Sequence, residues 1–348
     1  MKRYKAKAHA NIALIKYWGK EDEELIIPNN NSLSMTLENL YTETIVNFSD
    51  SDKDLFYLDN NLQDDKETAK ISKYIDIFRN LASSDKRVEI HSFNHVPTAA
   101  GLASSASGFA ALSAALNSLF ELNYDKENLT KLARLGSGSA SRSIYGGFVE
   151  WIKGKDHETS FAKKIDDGDF DIAMIILVLN EEKKDISSRT AMKQTVETSP
   201  LYKSFVESSK RDIIAIKKAI KDRDIDEIGK IAEHNAMKMH ATMLGSNPPI
   251  IYFKEKSIKA INKVRELRKM GFSVYYTMDA GPNVKLIVRK TEVDSIIKEL
   301  NEFDNIIISN IGNDVIVEEL VWLKLKYQVN YILQANILLL CLVINQLQ

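Results

Sequence analysis

The 348-residue chain has 47 Lys and Arg against 48 Asp and Glu, so its formal net charge of −1 gives no bulk attraction to nucleic acid or an anionic membrane. The single cysteine, Cys341, excludes an intramolecular disulfide framework, and no apolar run reaches the roughly 18 residues of a membrane-spanning helix. We therefore expect a cytoplasmic protein without nucleic-acid or membrane partners. Any anionic ligand must then be met by a local cluster of cations.

The first half of the chain alternates predicted strands and helices. Small apolar residues alternate over residues 4–18 and predict a strand that ends in a polar loop. The acidic residues 51–67 predict an exposed loop or hairpin tip, and helical spacing follows over residues 70–81. After the strand RVEIHSF, apolar residues recur every three or four positions over 109–119, which predicts an amphipathic helix. The small residues before this helix therefore form a strand-to-helix loop.

The second half opens with the apolar run DIAMIILVLN at residues 171–180, which predicts a strand buried on both faces. Residues 200–270 are almost wholly helical in pattern, and the strands FSVYYTM and NVKLIVR follow, joined by the loop DAGP. We place an N-terminal domain at residues 1–185 and a C-terminal domain at 186–318. Residues 319–348 form an atypical tail to which we assign no function.

The strongest local signal is the loop PTAAGLASSASG at residues 97–108. Its small residues let the backbone approach a ligand closely, and amide groups at a helix N-terminus favour an anion. The loop lacks the Gly-Lys-Ser/Thr of a Walker A motif, and a helix cap with tight packing explains such a loop equally well. The candidate phosphate-binding residues are Pro97, Ala100, Gly101, Leu102, Ala103, Ser104, Ser105 and Ser107.

Three further segments carry charged candidates, each open to a structural interpretation. KYWGK contains Lys16 and Lys20, which are also typical of solvated lysines at a strand end. GSGSASR presents Arg142 among small uncharged residues, where its planar fork suits a carboxylate, although a surface salt bridge is the ordinary role. MDAGPN places Asp279 in a turn that such a residue commonly caps. His234 and His240 lack the four-residue spacing of a zinc pair.

The blocks AHANIALIKYWGK, NSLSMTL, PTAAGLASSASGFAAL, SGSASRSIYGGFVEW, NAMKMHATM and MDAGPNVKL occur in this order over about residues 6–290. Together they resemble the diphosphomevalonate decarboxylase family of the galactokinase, homoserine kinase, mevalonate kinase and phosphomevalonate kinase (GHMP) superfamily. The resemblance implies an α+β fold of two domains: an N-terminal domain like domain 2 of ribosomal protein S5 and a ferredoxin-like C-terminal domain. It also implies a carboxy-lyase that uses ATP and Mg²⁺, and a homodimer.

The resemblance also implies roles for individual residues. Asp279 would be the catalytic carboxylate, kept ionised by Lys16, and Arg142 would fix the substrate carboxylate. Ser105 and the ATP phosphates would hold the metal. The remaining substrate-binding candidates are Tyr17, Trp18, Gly19, Lys20, Ser137, Gly138, Ser139, Ala140, Ser141, Ser188 and Arg189.

Two other functions stay open at this point. A GHMP-family kinase or monophosphate decarboxylase would act on mevalonate or phosphomevalonate, although KYWGK and SGSASR argue against a plain kinase. A non-catalytic ligand sensor on the same fold would have no need to keep Lys16, Ser105, Arg142 and Asp279 together.

Overall fold

The computed structural model describes residues 2–95, 104–180 and 186–320. Its strands are β1 (Arg3–Ile15), β2 (Lys20–Asp22), β3 (Ile27–Pro28), β4 (Ser32–Ser49), β5 (Leu55–Leu58), β6 (Asn61–Leu62), β7 (Arg87–His95), β8 (Phe148–Trp151), β9 (Ala162–Asp166), β10 (Ala173–Leu177), β11 (Val274–Met278), β12 (Val284–Val288), β13 (Ile306–Ser309) and β14 (Ile316–Glu319). Its α-helices are α1 (Asp65–Ala82), α2 (Ser104–Leu119), α3 (Lys126–Gly136), α4 (Ser188–Thr198), α5 (Tyr202–Lys221), α6 (Ile225–Leu244), α7 (Glu255–Lys269) and α8 (Val293–Glu299). Short 3-10 helices span Gly138–Ser143 and Lys290–Glu292.

The larger sheet has eight strands and is organised around β4. Strand β1 pairs antiparallel with β4 along most of its length, from Arg3 opposite Asn47 to Ile15 opposite Leu33. The first part of β4 also pairs with β8 and its second part with β7. Helices α1, α2 and α3 cover one face, where small residues of β1 such as Ala6 and Ala8 allow close packing. The predicted helix at residues 109–119 is confirmed as part of α2.

The smaller sheet has four strands in the order β11-β12-β10-β13, all antiparallel. The predicted doubly buried strand is confirmed as β10, whose five residues are all buried. Successive side chains of a strand point to opposite faces. Accordingly, Met174 and Ile176 pack towards α5 and α6, whereas Ile175 and Leu177 pack against α7 and α8.

One hydrophobic core joins the two sheets, which fixes the cleft between them. Ile12 and Leu14 of β1 lie in the same buried cluster as Ile176 of β10 and Ile216 of α5. Each such side chain contributes about 1.5–3 kcal/mol when it is fully buried. The end of β1, where the functional segment begins, is therefore anchored from both halves of the molecule. Within the described ranges, no helix has the length and apolar character needed to cross a membrane.

Strand pairing crosses the domain boundary that we predicted from the sequence, and the boundary itself stays a prediction. Strand β10 precedes the predicted boundary after residue 185 but pairs with β12 and β13, and β14 returns to β1. The two sheets therefore do not separate at that boundary, because pairing between strands distant in sequence leaves no change in composition. The tail beyond residue 320 lies outside the described residues.

The prediction of an exposed loop over residues 51–67 is wrong for part of that segment. Strand β5 pairs in parallel with β7, and Asp54 is buried at 3% exposure. The Asp54 carboxylate forms an ion pair with Arg79 of α1 and accepts a hydrogen bond from the Val88 amide. An acidic residue is thus buried because its charge is neutralised by a partner that lies 25 residues further along the chain.

Candidate active site

A cleft of about 370 Å³ lies where five segments of both halves converge. These segments are the end of β1, the turn after β11, the 3-10 helix Gly138–Ser143, and the first turns of α2 and α4. Of the sequence candidates, the cleft is lined by Lys16, Tyr17, Trp18, Lys20, Ser104, Ser105, Ser137, Gly138, Ser139, Arg142, Ser188, Arg189 and Asp279. Asn11, Met192 and Met239 also line it and were not assigned to the site from the sequence.

Lys16 and Asp279 form the central ion pair of the cleft. Lys16 Nζ lies 2.7 Å from Asp279 Oδ1 and also donates to the Ala13 carbonyl at 2.7 Å. The Lys16 amide donates to Asn235 Oδ1 at 2.8 Å, which ties this segment to α6. Burial lowers the pKa of Lys16 from 10.5 to about 8 even though Asp279 opposes the shift. The pair joins residues 263 positions apart in the chain.

A second lysine, Lys285, contacts the other oxygen of the same carboxylate. Its Nζ lies 3.2 Å from Asp279 Oδ2 and donates to the Asn283 carbonyl at 3.3 Å. Burial alone raises the pKa of Asp279, but the charges of Lys16 and Lys285 outweigh it and hold that pKa well below its usual range. Asp279 is therefore ionised, and its side chain keeps 29% exposure. Sequence reasoning missed Lys285, because a lysine in a strand is ordinarily solvent-facing.

Arg142 is buried at 2% exposure and is oriented by neutral partners. Its Nε and Nη2 each lie 3.3 Å from Asn11 Oδ1, and its Nη1 donates to Ser32 Oγ. Burial lowers the pKa of Arg142 to about 10, so the guanidinium keeps its charge at neutral pH. The described residues place no carboxylate in an ion pair with it. Asn11 could have been noticed in the sequence as a polar residue within the small apolar residues of β1.

A row of hydroxyl groups runs along the cleft beside the start of α2. Ser105 Oγ lies 3.4 Å from Ser137 Oγ, and Ser137 Oγ lies 3.3 Å from Ser139 Oγ. Helix α2 begins at Ser104, so its amide groups face the same region. Hydroxyl groups and a helix N-terminus together form a site that suits an anion.

Three candidates from these segments lie away from the cleft. Ser107 is fully buried, and its Oγ is 2.7 Å from Thr42 Oγ1, so its hydroxyl group faces the core and does not line the cleft. Ala140 is buried in the core, and Ser141 Oγ donates to the Gly138 carbonyl at 2.8 Å. Ala140 and Ser141 thus stabilise the 3-10 helix that presents Arg142. Pro97, Ala100, Gly101, Leu102 and Ala103 lie outside the described residues.

The segment after β1 forms one wall of the cleft. Tyr17 packs edge-on against Trp151 with ring centroids 4.7 Å apart. The Trp18 carbonyl accepts a hydrogen bond from Tyr202 Oη at 2.8 Å. Trp18 Nε1 is buried and has no hydrogen-bond partner among the described residues.

The turn that follows depends on glycine. Gly19 has φ +97°, in the left-handed region, and a Cβ there would lie 2.0 Å from Tyr202 Oη. Beyond it, Lys20 is in an ion pair with the exposed Glu23, which a stronger anion in the cleft could displace. Ser188 and Arg189, in the first turn of α4, also line the cleft, and α4 packs against Trp18.

Among the described residues, the charges in and around the cleft are unbalanced. Lys16, Lys285 and Arg142 bring three positive charges to one carboxylate, Asp279, and Arg189 adds another cation at the wall. The described residues contain no group of three or more His, Cys, Asp or Glu that could hold a metal by themselves. A two-domain α+β fold with a helix N-terminus and cations facing one ionised carboxylate defines an enzyme that binds phosphorylated, anionic substrates.

Comparisons with known proteins agree with this class. The family described as "Diphosphomevalonate decarboxylase-like N-terminal domain" matches residues 8–162, and "Mevalonate 5-diphosphate decarboxylase C-terminal domain" matches residues 174–329. A diphosphomevalonate decarboxylase of Candida albicans is 36% identical over 84% of this chain and 86% of its own length. The human diphosphomevalonate decarboxylase is 37% identical over 79% of this chain and 74% of its own length.

Solved structures give the same result. Mevalonate diphosphate decarboxylase from Staphylococcus aureus is 49% identical, with a TM-score of 0.88 over 91% of this chain and 98% of that one. The enzyme from Enterococcus faecalis is 42% identical, with a TM-score of 0.86 over 92% and 99%. A further structure, of a relative designated MDDEF in complex with MVAPP, AMPPCP and magnesium, has a TM-score of 0.87 at 44% identity, over 92% and 99%. The chain belongs to the diphosphomevalonate decarboxylase family, and the predicted two-domain α+β fold is confirmed.

Proposed function

We propose that the chain converts (R)-5-diphosphomevalonate and ATP into isopentenyl diphosphate, ADP, phosphate and carbon dioxide, a step of the mevalonate pathway of isoprenoid biosynthesis. Membership of the decarboxylase family supports this reaction. The observation that carries the assignment to this cleft is the ionised Asp279, held by Lys16 and Lys285 in a cleft that also contains Arg142. This set provides a proton acceptor and a carboxylate clamp at one place.

The first step transfers the γ-phosphoryl group of ATP to the 3-hydroxyl group of the substrate, which converts a poor leaving group into a good one. Asp279 orients that hydroxyl group and accepts its proton as the O–P bond forms. Removal of the proton beforehand is disfavoured, because the pKa of Asp279 lies far below that of an alcohol. Lys16 lines the cleft and balances the negative charge that arrives with the phosphoryl group.

In the second step the bond between C3 and its phosphorylated oxygen breaks and phosphate leaves with the electron pair, so positive character develops at C3. The bond between C3's neighbour and the carboxyl carbon then breaks, its electron pair forms the double bond, and carbon dioxide departs. Arg142 holds the substrate carboxylate so that this bond is aligned with the vacated orbital. Asn11 and Ser32 keep the guanidinium in place but carry no charge, so the substrate carboxylate has no protein anion to displace.

The diphosphate of the substrate would lie along Tyr17 to Lys20, beside Ser188 and Arg189, which also line the cleft. The ATP phosphates would lie at the start of α2, beside Ser104 and Ser105. Since the described residues offer no acidic cluster for a metal, Mg²⁺ would be held chiefly by the ATP phosphates, with the Ser105 hydroxyl as a protein ligand. Bound there, Mg²⁺ neutralises charge on the triphosphate.

The reaction is tested by incubating the protein with ATP, Mg²⁺ and, separately, mevalonate, phosphomevalonate and diphosphomevalonate. Carbon dioxide and ADP are measured in the same samples. We expect both products in equal amounts, and only from diphosphomevalonate. ADP without carbon dioxide would identify a kinase of the same superfamily, and binding without ADP release would identify a ligand sensor.

We also propose a cytoplasmic homodimer, as the family resemblance and the unremarkable composition suggest. Light scattering coupled to gel filtration gives the oligomeric state directly. A mass near 39.4 kDa would identify a monomer and contradict the dimer.

A further inference from the structure

Lys285 belongs to the immediate surroundings of Asp279 but not to the wall of the cleft. It lies on β12, and Thr277 of the neighbouring β11, two residues before Asp279, is its cross-strand partner. The side chains of Lys16 and Lys285 are both 2% exposed, but the residues that line the cleft include Lys16 and not Lys285. Each lysine contacts a different oxygen of the carboxylate: Lys16 contacts Oδ1 at 2.7 Å and Lys285 contacts Oδ2 at 3.2 Å. The two lysines therefore hold Asp279 from different sides.

The two lysines differ in their access to a ligand in the cleft. Lys16 lines the cleft, so a transferring phosphoryl group competes with Asp279 for its charge. If Lys16 were the sole partner of Asp279, its movement towards that group would leave a half-buried carboxylate without a counter-ion, which is costly. Lys285 does not line the cleft, and within the described part of the chain it donates otherwise only to the Asn283 carbonyl.

We propose that Lys285 is a positioning residue for Asp279, acting as its resident counter-ion so that Lys16 can leave the carboxylate and follow the arriving phosphoryl group. This inference rests on the proposed function, because it needs Asp279 to face the substrate hydroxyl group. Lys285 touches neither substrate nor ATP. It should therefore affect turnover through the orientation and ionisation of Asp279, and leave substrate affinity unchanged.

The pH dependence of the reaction provides a separate readout. The charged and titratable groups around this carboxylate are Lys16 at the end of β1, Arg142 on the 3-10 helix, His240 on α6 and Lys285 itself. His240 is neutral, since burial lowers its pKa to about 3. The charge of Lys285 contributes to lowering the pKa of Lys16, which is about 8. Removing that charge should raise the pKa of Lys16, so the loss of activity at alkaline pH should move to higher pH.

The experiment compares Lys285→Met and Lys285→Arg with the wild type. For Lys285→Met we expect kcat to fall about 10- to 100-fold at pH 7, while KM for diphosphomevalonate and for ATP stays within about threefold. The alkaline limb of kcat/KM should move up by on the order of one pH unit. Lys285→Arg keeps the charge, so its kcat should exceed that of Lys285→Met at least fivefold and its alkaline limb should stay near pH 8.

Lys131→Met is the matched control. Lys131 is a buried lysine of α3, 7% exposed, in an ion pair with Glu158 at 2.9 Å and absent from the cleft lining. Its replacement tests the effect of losing a buried lysine by itself. It should leave kcat, KM and the alkaline limb at their wild-type values. Circular dichroism and thermal unfolding of all three variants check that each is folded.

Three results would overturn the inference. They are a kcat of Lys285→Met within threefold of the wild type, a rise in KM as large as the fall in kcat, and an alkaline limb that does not move. If Lys285→Met does not fold, the test depends on Lys285→Arg alone. A kcat of Lys285→Arg more than fivefold below the wild type, together with a displaced alkaline limb of kcat/KM, would then refute the role of the charge. A wild type that releases ADP without carbon dioxide would refute the proposed function, yet the role of Lys285 could still be judged from ADP release.

Discussion

Replacing Asp279 by asparagine tests the carboxylate that lies between the two lysines. Asparagine has nearly the same shape, so its carbonyl oxygen can accept from one lysine, but its amide group then faces the other. A buried donor that loses its acceptor costs about 1–3 kcal/mol of folding stability. The cost to catalysis is larger, because proton acceptance by a positioned side chain contributes about 10²- to 10⁴-fold. We expect kcat to fall about 10³-fold, which corresponds to roughly 4 kcal/mol.

The assay measures carbon dioxide and ADP at saturating ATP and diphosphomevalonate, together with binding of diphosphomevalonate by calorimetry. The dissociation constant should stay within about threefold of the wild type, since the variant keeps the volume of the side chain. Urea unfolding gives the change in folding free energy separately. A fall in kcat of less than about tenfold would show that Asp279 is not the proton acceptor. A large loss of affinity with intact kcat would assign Asp279 to binding instead.

Three further changes test other parts of the site. Burial lowers the pKa of Lys16 to about 8, so raising the pH above 8 should remove the charge of Lys16. We expect kcat/KM to fall about tenfold per pH unit in this range, and we expect Lys16→Met not to show this alkaline fall. Arg142→Gln should raise KM for diphosphomevalonate at least tenfold and lower kcat in steady-state assays, because glutamine lacks the charged guanidinium that fits a carboxylate. Unchanged KM and kcat would show that Arg142 does not contact the substrate. Gly19→Ala should lower the free energy of unfolding in urea by about 1–3 kcal/mol, since Gly19 has φ +97° and a Cβ would lie 2.0 Å from Tyr202 Oη. A loss below about 0.5 kcal/mol would contradict the expectation that a side chain at this position is strained.

The sequence predicts local structure where apolar spacing is unambiguous. The buried strand β10 and helix α2 were both predicted, because continuous apolar runs and three- to four-residue spacing depend only on nearby residues. Strand pairing was not predictable in this way. The change to a helical pattern after residue 200 led us to place the strand DIAMIILVLN in the N-terminal domain, and β10 pairs with β12 and β13, more than 100 residues later in the chain.

The residues of the candidate site also differ in how far the sequence predicts them. Family resemblance, rather than any pattern in the residues alone, singled out Lys16, Arg142 and Asp279, and the cleft contains all three. Their roles stay proposals. Lys285 was missed because its contact with Asp279 depends on how β12 packs beside β11, which no spacing in the sequence encodes. The assignment of Ser107 to the loop ligands stays a prediction, and the structure places its hydroxyl group beside Thr42, one helical turn inside α2.

The distribution of charge explains why Arg142 is held by neutral groups. A buried cation is normally stabilised by a carboxylate, but such a partner would neutralise it before a ligand arrives. Asn11 and Ser32 instead satisfy guanidinium donors without cancelling the charge. Asp279 has the opposite surroundings. Two lysines balance its negative charge and thereby stabilise its ionised form. On the proposed function, the described part of the cleft keeps its positive charge available for the substrate carboxylate and the phosphates, and keeps Asp279 ready to accept a proton.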